Sequence, residues 1–435
     1  MSQFGDRAVV GPGPRLVVSP VRAFAALMLL ASISAAGQVL PLGPEFQVNT
    51  WTTGSQNAPI VRAQPEGTFV VVWAGPSSGS SAIVTRRFGA GGLPLTGEVE
   101  VVGMPTTDPT GLAVDANGDL VVIWGFGTPG PHGGFPHDVE ARGLDGDLTP
   151  AGPSFVVSEF GQDYYGVGPG AVASPAAGEF VVAWREYGIQ VRRHATDGTP
   201  LTPQSEIASV GYSPSVAALP GGAFVVSWRE MAPEHRHRAR IFDTIGTPVG
   251  EPITIAEGSE VSTGNIGGVD LAAHPSGGFI AVWSVWQNEM RQIRARRFAS
   301  DGASLGPSFR VDPHFAGYSR FGGVAVRGDG SFVISWTHSA GPVGTCESCE
   351  LHARWYASDE TPLGAPFYLN EITAGTQWDA TLAFLPSGDL VAAWTSTVSS
   401  GNDTSGTSIL ARRFRLPFFM DGFESGDTSR WSSAP

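Results

Sequence analysis

Gly222-Ala223-Phe224-Val225-Val226-Ser227-Trp228 decides the fold of this chain, because variants of it occur seven times. The tryptophans that end the copies are Trp73, Trp124, Trp184, Trp228, Trp283, Trp336 and Trp394, spaced by 51, 60, 44, 55, 53 and 58 residues. Internal periods of that size mark a repeat architecture. Six residues before each tryptophan stands a glycine, from Gly67 to Gly388; four before stands Phe or Leu; twelve before stands Val or Leu, from Val61 to Leu382. These offsets describe a hairpin. A first strand ends in a turn where glycine accepts positive φ without a Cβ clash, and a second strand runs to the tryptophan. The runs are short, β-branched and bounded by Gly and Pro, which fits strands and not helices.

A second column follows the tryptophans: Arg86, Arg142, Arg192, Arg240, Arg296, Arg354 and Arg412, preceded by Ala in five repeats. It marks a third strand. A Gly-rich turn such as Asp301-Gly302-Ala303-Ser304-Leu305-Gly306 and a fourth strand such as Ser308-Phe309-Arg310-Val311 come next. Four antiparallel strands per unit make a propeller blade. The last repeat stops after its third strand, at Arg412-Arg413-Phe414-Arg415. Its missing strand stands at the other end of the chain, where Leu42-Gly43-Pro44-Glu45-Phe46-Gln47-Val48-Asn49 matches Leu363-Gly364-Ala365-Pro366-Phe367-Tyr368-Leu369-Asn370. Pairing the two ends removes an open edge. The expected fold is therefore all-β: a seven-bladed β-propeller of four-stranded antiparallel blades, closed by the N-terminal strand. An open solenoid of the same repeats would not need that offset.

The blades resemble repeats of the form GGFVVxW…ARRFdxxGxxLGxxFxVN in large exported and adhesin-like bacterial proteins. That resemblance covers nearly the whole of residues 37–415. It implies a propeller and an exported location, and it brings no established reaction and no catalytic residues. The tail from Leu416 to Pro435 leaves the repeat. Its Phe419-Met420-Asp421-Gly422-Phe423-Glu424-Ser425-Gly426-Asp427-Thr428-Ser429-Arg430-Trp431-Ser432 resembles the FxDGFESGDTSxWS ends of varied exported bacterial proteins, which implies sorting or surface handling.

Residues 1–36 have the form of an export signal: Arg7, Arg15 and Arg22 precede the apolar run Ala23–Ala31, and Ser34, Ala35 and Ala36 offer a cleavage site after Ala36. The formal charge is −14; residues 1–36 carry three Arg and one Asp, so the mature chain stands at −16. An acidic surface argues against nucleic acid and anionic lipid, which need a basic footprint. No membrane span is expected after signal removal. The chain has no lysine, which removes Schiff-base and Walker-type chemistry. The expected location is secreted or at the cell surface, with the periplasm as the alternative, and the expected state is a monomer.

Turns between strands one and two, and three and four, are short and uniform, and lie on one face of a propeller. Loops after the tryptophan and between blades lie on the other, and vary. Function is grafted on the variable face. Its candidate ligand-binding residues are Tyr164, Tyr165, Glu186, Tyr187, Glu230, Trp286, Tyr318, Arg320 and Trp378, with Asp379 beside them; for any one aromatic, covering a blade edge is the plainer explanation. Exposed aromatics with carboxylates suit a glycan, and a protein ligand is the other option. In the first strands, Ala follows the Val/Leu column in six of seven repeats; Arg62 is the exception, and reaches into the channel or turns outward. The tryptophans are expected as core between blades, with the arginine column stacked on them.

Other motifs carry less. Cys346-Glu347-Ser348-Cys349 is expected as a loop disulfide in an exported protein; a zinc site with His338 and His352 is the weaker rival. Gly75-Pro76-Ser77-Ser78-Gly79 matches a nucleophile elbow without its helix. His235 and His237 fall on one side of an extended segment. Arg327-Gly328-Asp329 sits in a hairpin turn. Asp115-Ala116-Asn117-Gly118-Asp119 resembles the start of a calcium loop without its distal Glu. Glu186 and Glu230 hold equal offsets in adjacent blades, as a glycosidic acid/base pair could, though descent from one repeat explains that equally. No cofactor, metal or catalytic residue is assigned. The expected function is a non-catalytic binding module on the variable face; a glycoside hydrolase or lyase on that face, or a structural surface protein, are the alternatives.

Overall fold

Each repeat folds as its offsets require. In the first blade, strands Asn57–Ala63, Phe69–Ser77, Ser80–Phe88 and Val99–Gly103 pair antiparallel in chain order. The glycines six residues before each tryptophan all hold positive φ, from +73° at Gly178 to +96° at Gly277. These coordinates, a computed structural model, describe residues 38–417 apart from 78–79, 104–107, 127–137, 159–169, 232–233, 263–266, 288–289, 314–317, 340–348, 400, 402 and 404. The signal segment, the tail beyond 417 and Cys346 lie outside the described residues. Among those described there are seven sheets, one 3-10 turn at Gly258–Glu260 and no α-helix.

The sheets form a ring, a seven-bladed β-propeller. Each blade's first strand lies against the next blade's first strand, and Gln377–Phe384 of the seventh blade returns to Asn57–Ala63 of the first. The seventh sheet borrows its outer strand from the N-terminal segment. Leu40 and Pro41 pair with Arg415 and Phe414, Phe46 and Gln47 pair with Ala411 and Leu410, and the Val48 N–H donates to the Ile409 carbonyl at 2.8 Å. The residue that ends this motif works through its side chain. Asn49 Oδ1 accepts the Ile409 N–H at 2.9 Å, as Asn370 accepts from Leu351 at 2.8 Å and Asp312 from Ile293 at 2.9 Å. The third strand's last free donor is thereby satisfied.

The hydrophobic core is divided into seven clusters, one at each junction between blades. Every cluster joins two successive blades and holds the repeat tryptophan of the later one: Trp73 against blade seven, Trp283 against blade four. All seven tryptophans are 0–1% exposed. A twisted sheet presents one apolar face to each neighbour, so the ring is a closed series of sheet-on-sheet contacts.

Among the described residues the arginine column is found bonded to carbonyls, and no stacking of it on these tryptophans is seen. Nε of Arg86, Arg142, Arg192 and Arg354 donates to the carbonyl ten residues on, at Thr96, Gly152, Thr202 and Gly364, over 3.1–3.2 Å. In blade seven the same bond from Arg412 reaches Gly43 of the closing strand, at 3.2 Å. Nη1 of Arg86, Arg142, Arg192 and Arg296 donates to the preceding blade's fourth-strand carbonyls, at Val48, Val101, Val157 and Ile255. The ring neighbours of this column are Phe88, Tyr356 and Phe414. A guanidinium offers five donors in a fixed fork, and half-buried strand ends offer carbonyls with unused lone pairs. That demand outweighs a stacking contact of about 0.5–1 kcal/mol.

Truncation at a junction should be costly. Trp184→Ala is expected to lower the unfolding free energy by about 3–5 kcal/mol, and Arg142→Met by about 1.5–3 kcal/mol through its two charge-assisted bonds. Urea denaturation of each variant against the parent protein measures both.

Candidate functional site

The channel mouth on the variable-loop face is built by irregular starts of the first strands. Register shifts interrupt the pairing of strands one and two in blades one, two, four, six and seven within the first turns of the strand. Three residues before the Val/Leu column, Ala58, Ser213 and Asp379 hold φ of +52°, +48° and +54°. A left-handed conformation costs a non-glycine residue about 1–2 kcal/mol. A bulge there bends the strand and re-aims its side chains toward the axis.

At Ser213 this irregular edge meets a cavity of about 600 Å³ lined by Ser213, Ser215, Asp270, Ser284, Arg291 and Arg320. Below it the central channel holds about 560 Å³, walled by the alanine column and by Arg62. The two share Thr110, Ala171, Ser215 and Asp270, so mouth and channel are continuous. Arg62 therefore turns inward. Asp270 Oδ1 accepts from Ser215 Oγ at 3.1 Å and from the Leu271 N–H at 2.9 Å. Enclosure by the ring pushes the Asp270 carboxyl up from its ordinary value, with the Arg62 charge opposing that push.

Of the candidates read from sequence, Arg320 lines the mouth, and its Nη2 meets Asp379 Oδ1 at 3.5 Å. Burial pushes the Asp379 carboxyl up, and the Arg320 charge opposes this. Glu186 and Glu230 are placed otherwise. Each accepts the indole N–H of its own blade's tryptophan, Trp184 at 3.2 Å and Trp228 at 3.1 Å. Their matched offsets thus serve matched indoles. Tyr187, 60% exposed with φ +59°, tips the blade-three hairpin. Trp286 is 38% exposed, and its backbone N–H donates to Ser262 Oγ at 2.6 Å. Trp378 is half-buried beside Asp379 and pairs with Thr395. Tyr318 pairs with Ser339 at the start of its strand, and its side chain lies outside the described residues, as do Tyr164 and Tyr165. Asp270 and Arg291 were not singled out for the site. The signal for Asp270 was a lone charge in a column otherwise Ile60, Gly111, Ala171, Ser215, Gly323 and Thr381.

No protein-family model matches the chain, and no curated protein matches it. Solved structures do. A protein of unknown function from Dyadobacter fermentans superposes with a TM-score of 0.53 at 13% identity, covering 88% of this chain and 100% of that one. An ulvan lyase bound to a -[GlcA(1-4)Rha3S]- repeat gives 0.50 at 11% identity over 86% of this chain and 95% of its own. The β-propeller domain of Cps50 (Swd1) from Myceliophteria thermophila gives 0.50 at 12% identity over 86% and 100%. The likeness is one of fold.

The remaining motifs resolve into structure. Asp115 Oδ1 accepts the N–H groups of Asn117 and Asp119, and so closes a turn. Arg327 pairs with Asp329 and is itself 6% exposed, so the arginine is held within the turn while Gly328 and Asp329 stay at the surface. Ser77 ends a strand, with no helix after it among the described residues. Cys349 is buried and is not a free thiol. No group of three or more metal-ligating side chains gathers among the described residues. His237 is 1% exposed and leans on Trp283 of the next blade.

Burial, with the Arg229 charge beside it, pushes His237 down to about 3. The unfolded chain takes this proton near the ordinary histidine value of about 6.5, and the folded chain does not. Stability is therefore present above that value and lost as pH falls toward 3, by at most about 1.4 kcal/mol per unit from this group. Unfolding free energies measured from pH 7 to pH 4 should fall less steeply in His237→Gln than in the parent protein.

Proposed function

We propose that this chain is an exported, non-catalytic glycan-binding propeller whose site is the channel mouth on the variable-loop face. What carries the reading is the mouth cavity itself: concave, about 600 Å³, with Ser213 in left-handed backbone at its edge, and lined by serine hydroxyls, Asp270 and two arginines. Hydroxyls, a carboxylate and guanidinium groups are the donors and acceptors that a sugar's ring hydroxyls satisfy. Pockets of such size take small ligands with a few placed polar groups. An ulvan lyase of the same fold binds its polysaccharide, which is consistent with a glycan here. The signal at residues 1–36 and a Cys346–Cys349 bond belong to the same exported reading.

A glycan array probed with the folded protein should return binders. The Arg291→Ala/Arg320→Ala double variant should lose at least ten-fold in affinity with its melting temperature unchanged. A blank array together with a blank protein pull-down would falsify the reading.

One observation favours an enzyme, the second reading. The Asp270 carboxyl, pushed up by enclosure and open to the cavity, has the character of a general acid. Turnover of an array-positive glycan that disappears in Asp270→Asn would establish it, and intact glycan after prolonged incubation would dismiss it.

A further inference from the structure

The channel below the mouth is lined almost wholly by small and apolar first-strand side chains, and two of its lining residues are charged: Arg62 from blade one and Asp270 from blade five. Arg62 stands where the six other blades place alanine. Its Nη1 donates to the carbonyl of its own neighbour Val61 at 2.9 Å, and no other hydrogen bond or ion pair of the Arg62 side chain is found among the described residues. Its guanidinium is enclosed by the ring, and what surface it keeps faces the channel interior. Arg62 is half-buried, and the guanidinium donors it does not use on the protein face the channel, where they are open to a ligand that fits the fork. Asp270 attracts it across the lumen without closing an ion pair, and both of Asp270's bonds fall on Oδ1, leaving Oδ2 toward the cavity.

Charge selects the ligand class. The chain as a whole has 26 basic and 40 acidic residues, yet mouth and channel together are lined by Arg62, Arg291 and Arg320 against Asp270. Arg320 is paired with Asp379, but the Arg62 guanidinium faces the channel with no ion-pair partner among the described residues, and a cation enclosed there favours an anion. One carboxylate beside the arginines, with Ser215 and Thr110 near, calls for hydroxyls on that same anion.

We propose that the channel is a subsite for the acidic sugar of the glycan, a uronate: its carboxylate sits on the Arg62 guanidinium in the bidentate fork geometry, and its ring hydroxyls donate to Asp270 Oδ2 and meet Ser215 Oγ. This rests on the mouth being a glycan site and specifies which sugar enters deepest. Arg62 is the selecting residue and Asp270 the orienting one.

The test is titration calorimetry and ligand-observed NMR of the whole protein with D-glucuronate, its methyl ester, D-glucose and sodium sulfate. Glucuronate should bind, with the ester and glucose at least ten-fold weaker. Arg62→Ala restores the residue of the six other blades, so the fold has a ready place for it; it should lower glucuronate affinity at least ten-fold, to the level of glucose. Asp270→Asn should weaken glucuronate and leave sulfate unchanged. The proposal is overturned by absent glucuronate binding, by equal affinity for glucuronate and glucose, by an unchanged Arg62→Ala, or by sulfate binding as tightly as glucuronate, which would mean a general anion hole. Array ligands lost in Arg291→Ala/Arg320→Ala but indifferent to Arg62→Ala would sink the channel subsite alone and leave the mouth reading standing.

Discussion

The contact on which the rest depends is the packing of each repeat tryptophan against the blade before it. A single four-stranded blade cannot cover its own apolar face, so each borrows cover from a neighbour. The seven clusters make that debt circular: the core between blades seven and one joins Val391 and Ala393 to Trp73 and Val61. No blade is terminal, and no junction can loosen without exposing two sheet faces. The closing strand follows from the same constraint. Val48 enters that core, and Phe46 packs against it, while both belong to the segment paired with Ser408–Arg415.

Polar groups then fix what packing leaves free. Sheet-on-sheet contact tolerates sliding, whereas a guanidinium that spans two fourth strands does not. The arginine column links its own blade's outer strand to the previous one, and at Arg412 and Arg86 it ties both sides of the closing strand, through Gly43 and Val48. On the uniform face a side chain at the end of strand one does similar work: Gln64 donates to the Gly118 carbonyl at 3.0 Å, and His274 Nε2 lies 3.2 Å from the Gly330 carbonyl. Most of the acidic residues in those turns are consumed locally. Asp145, Asp197, Asp243, Asp301 and Asp359 each accept a backbone N–H two residues on. These turn carboxylates are spent on their own backbone, whereas Arg62 and Asp270 face the channel at the axis.

Much of this was legible from residue columns. The turn glycines, the tryptophans, the blade count and the offset closure are local or periodic features, and periodicity survives in a linear chain. Arg62 stood out because six alanines surround it in the alignment of repeats. One column reading fails in an instructive way. Arginine and tryptophan both recur seven times, but recurrence does not give direction, and the guanidiniums point along the sheet to carbonyls. Glu186 and Glu230 shared an offset for the sake of an indole N–H at 3.2 and 3.1 Å. Equal spacing in a repeat protein reports equal surroundings first.

By itself, then, the sequence determined the blade, the number of blades and the means of closing them, because each rests on hydrogen bonds and side-chain alternation within one repeat or on a shared pattern of Leu, Gly, Phe and Asn between residues 42–49 and 363–370. Only the tertiary structure decided which charges share the axis. Arg62 and Asp270 belong to blades one and five, and Arg291 and Arg320 to blades five and six. Nothing in their local sequence refers to one another. Ring closure sets them around one lumen, where exclusion of bulk water gives a few charges an influence that they lack on the open surface.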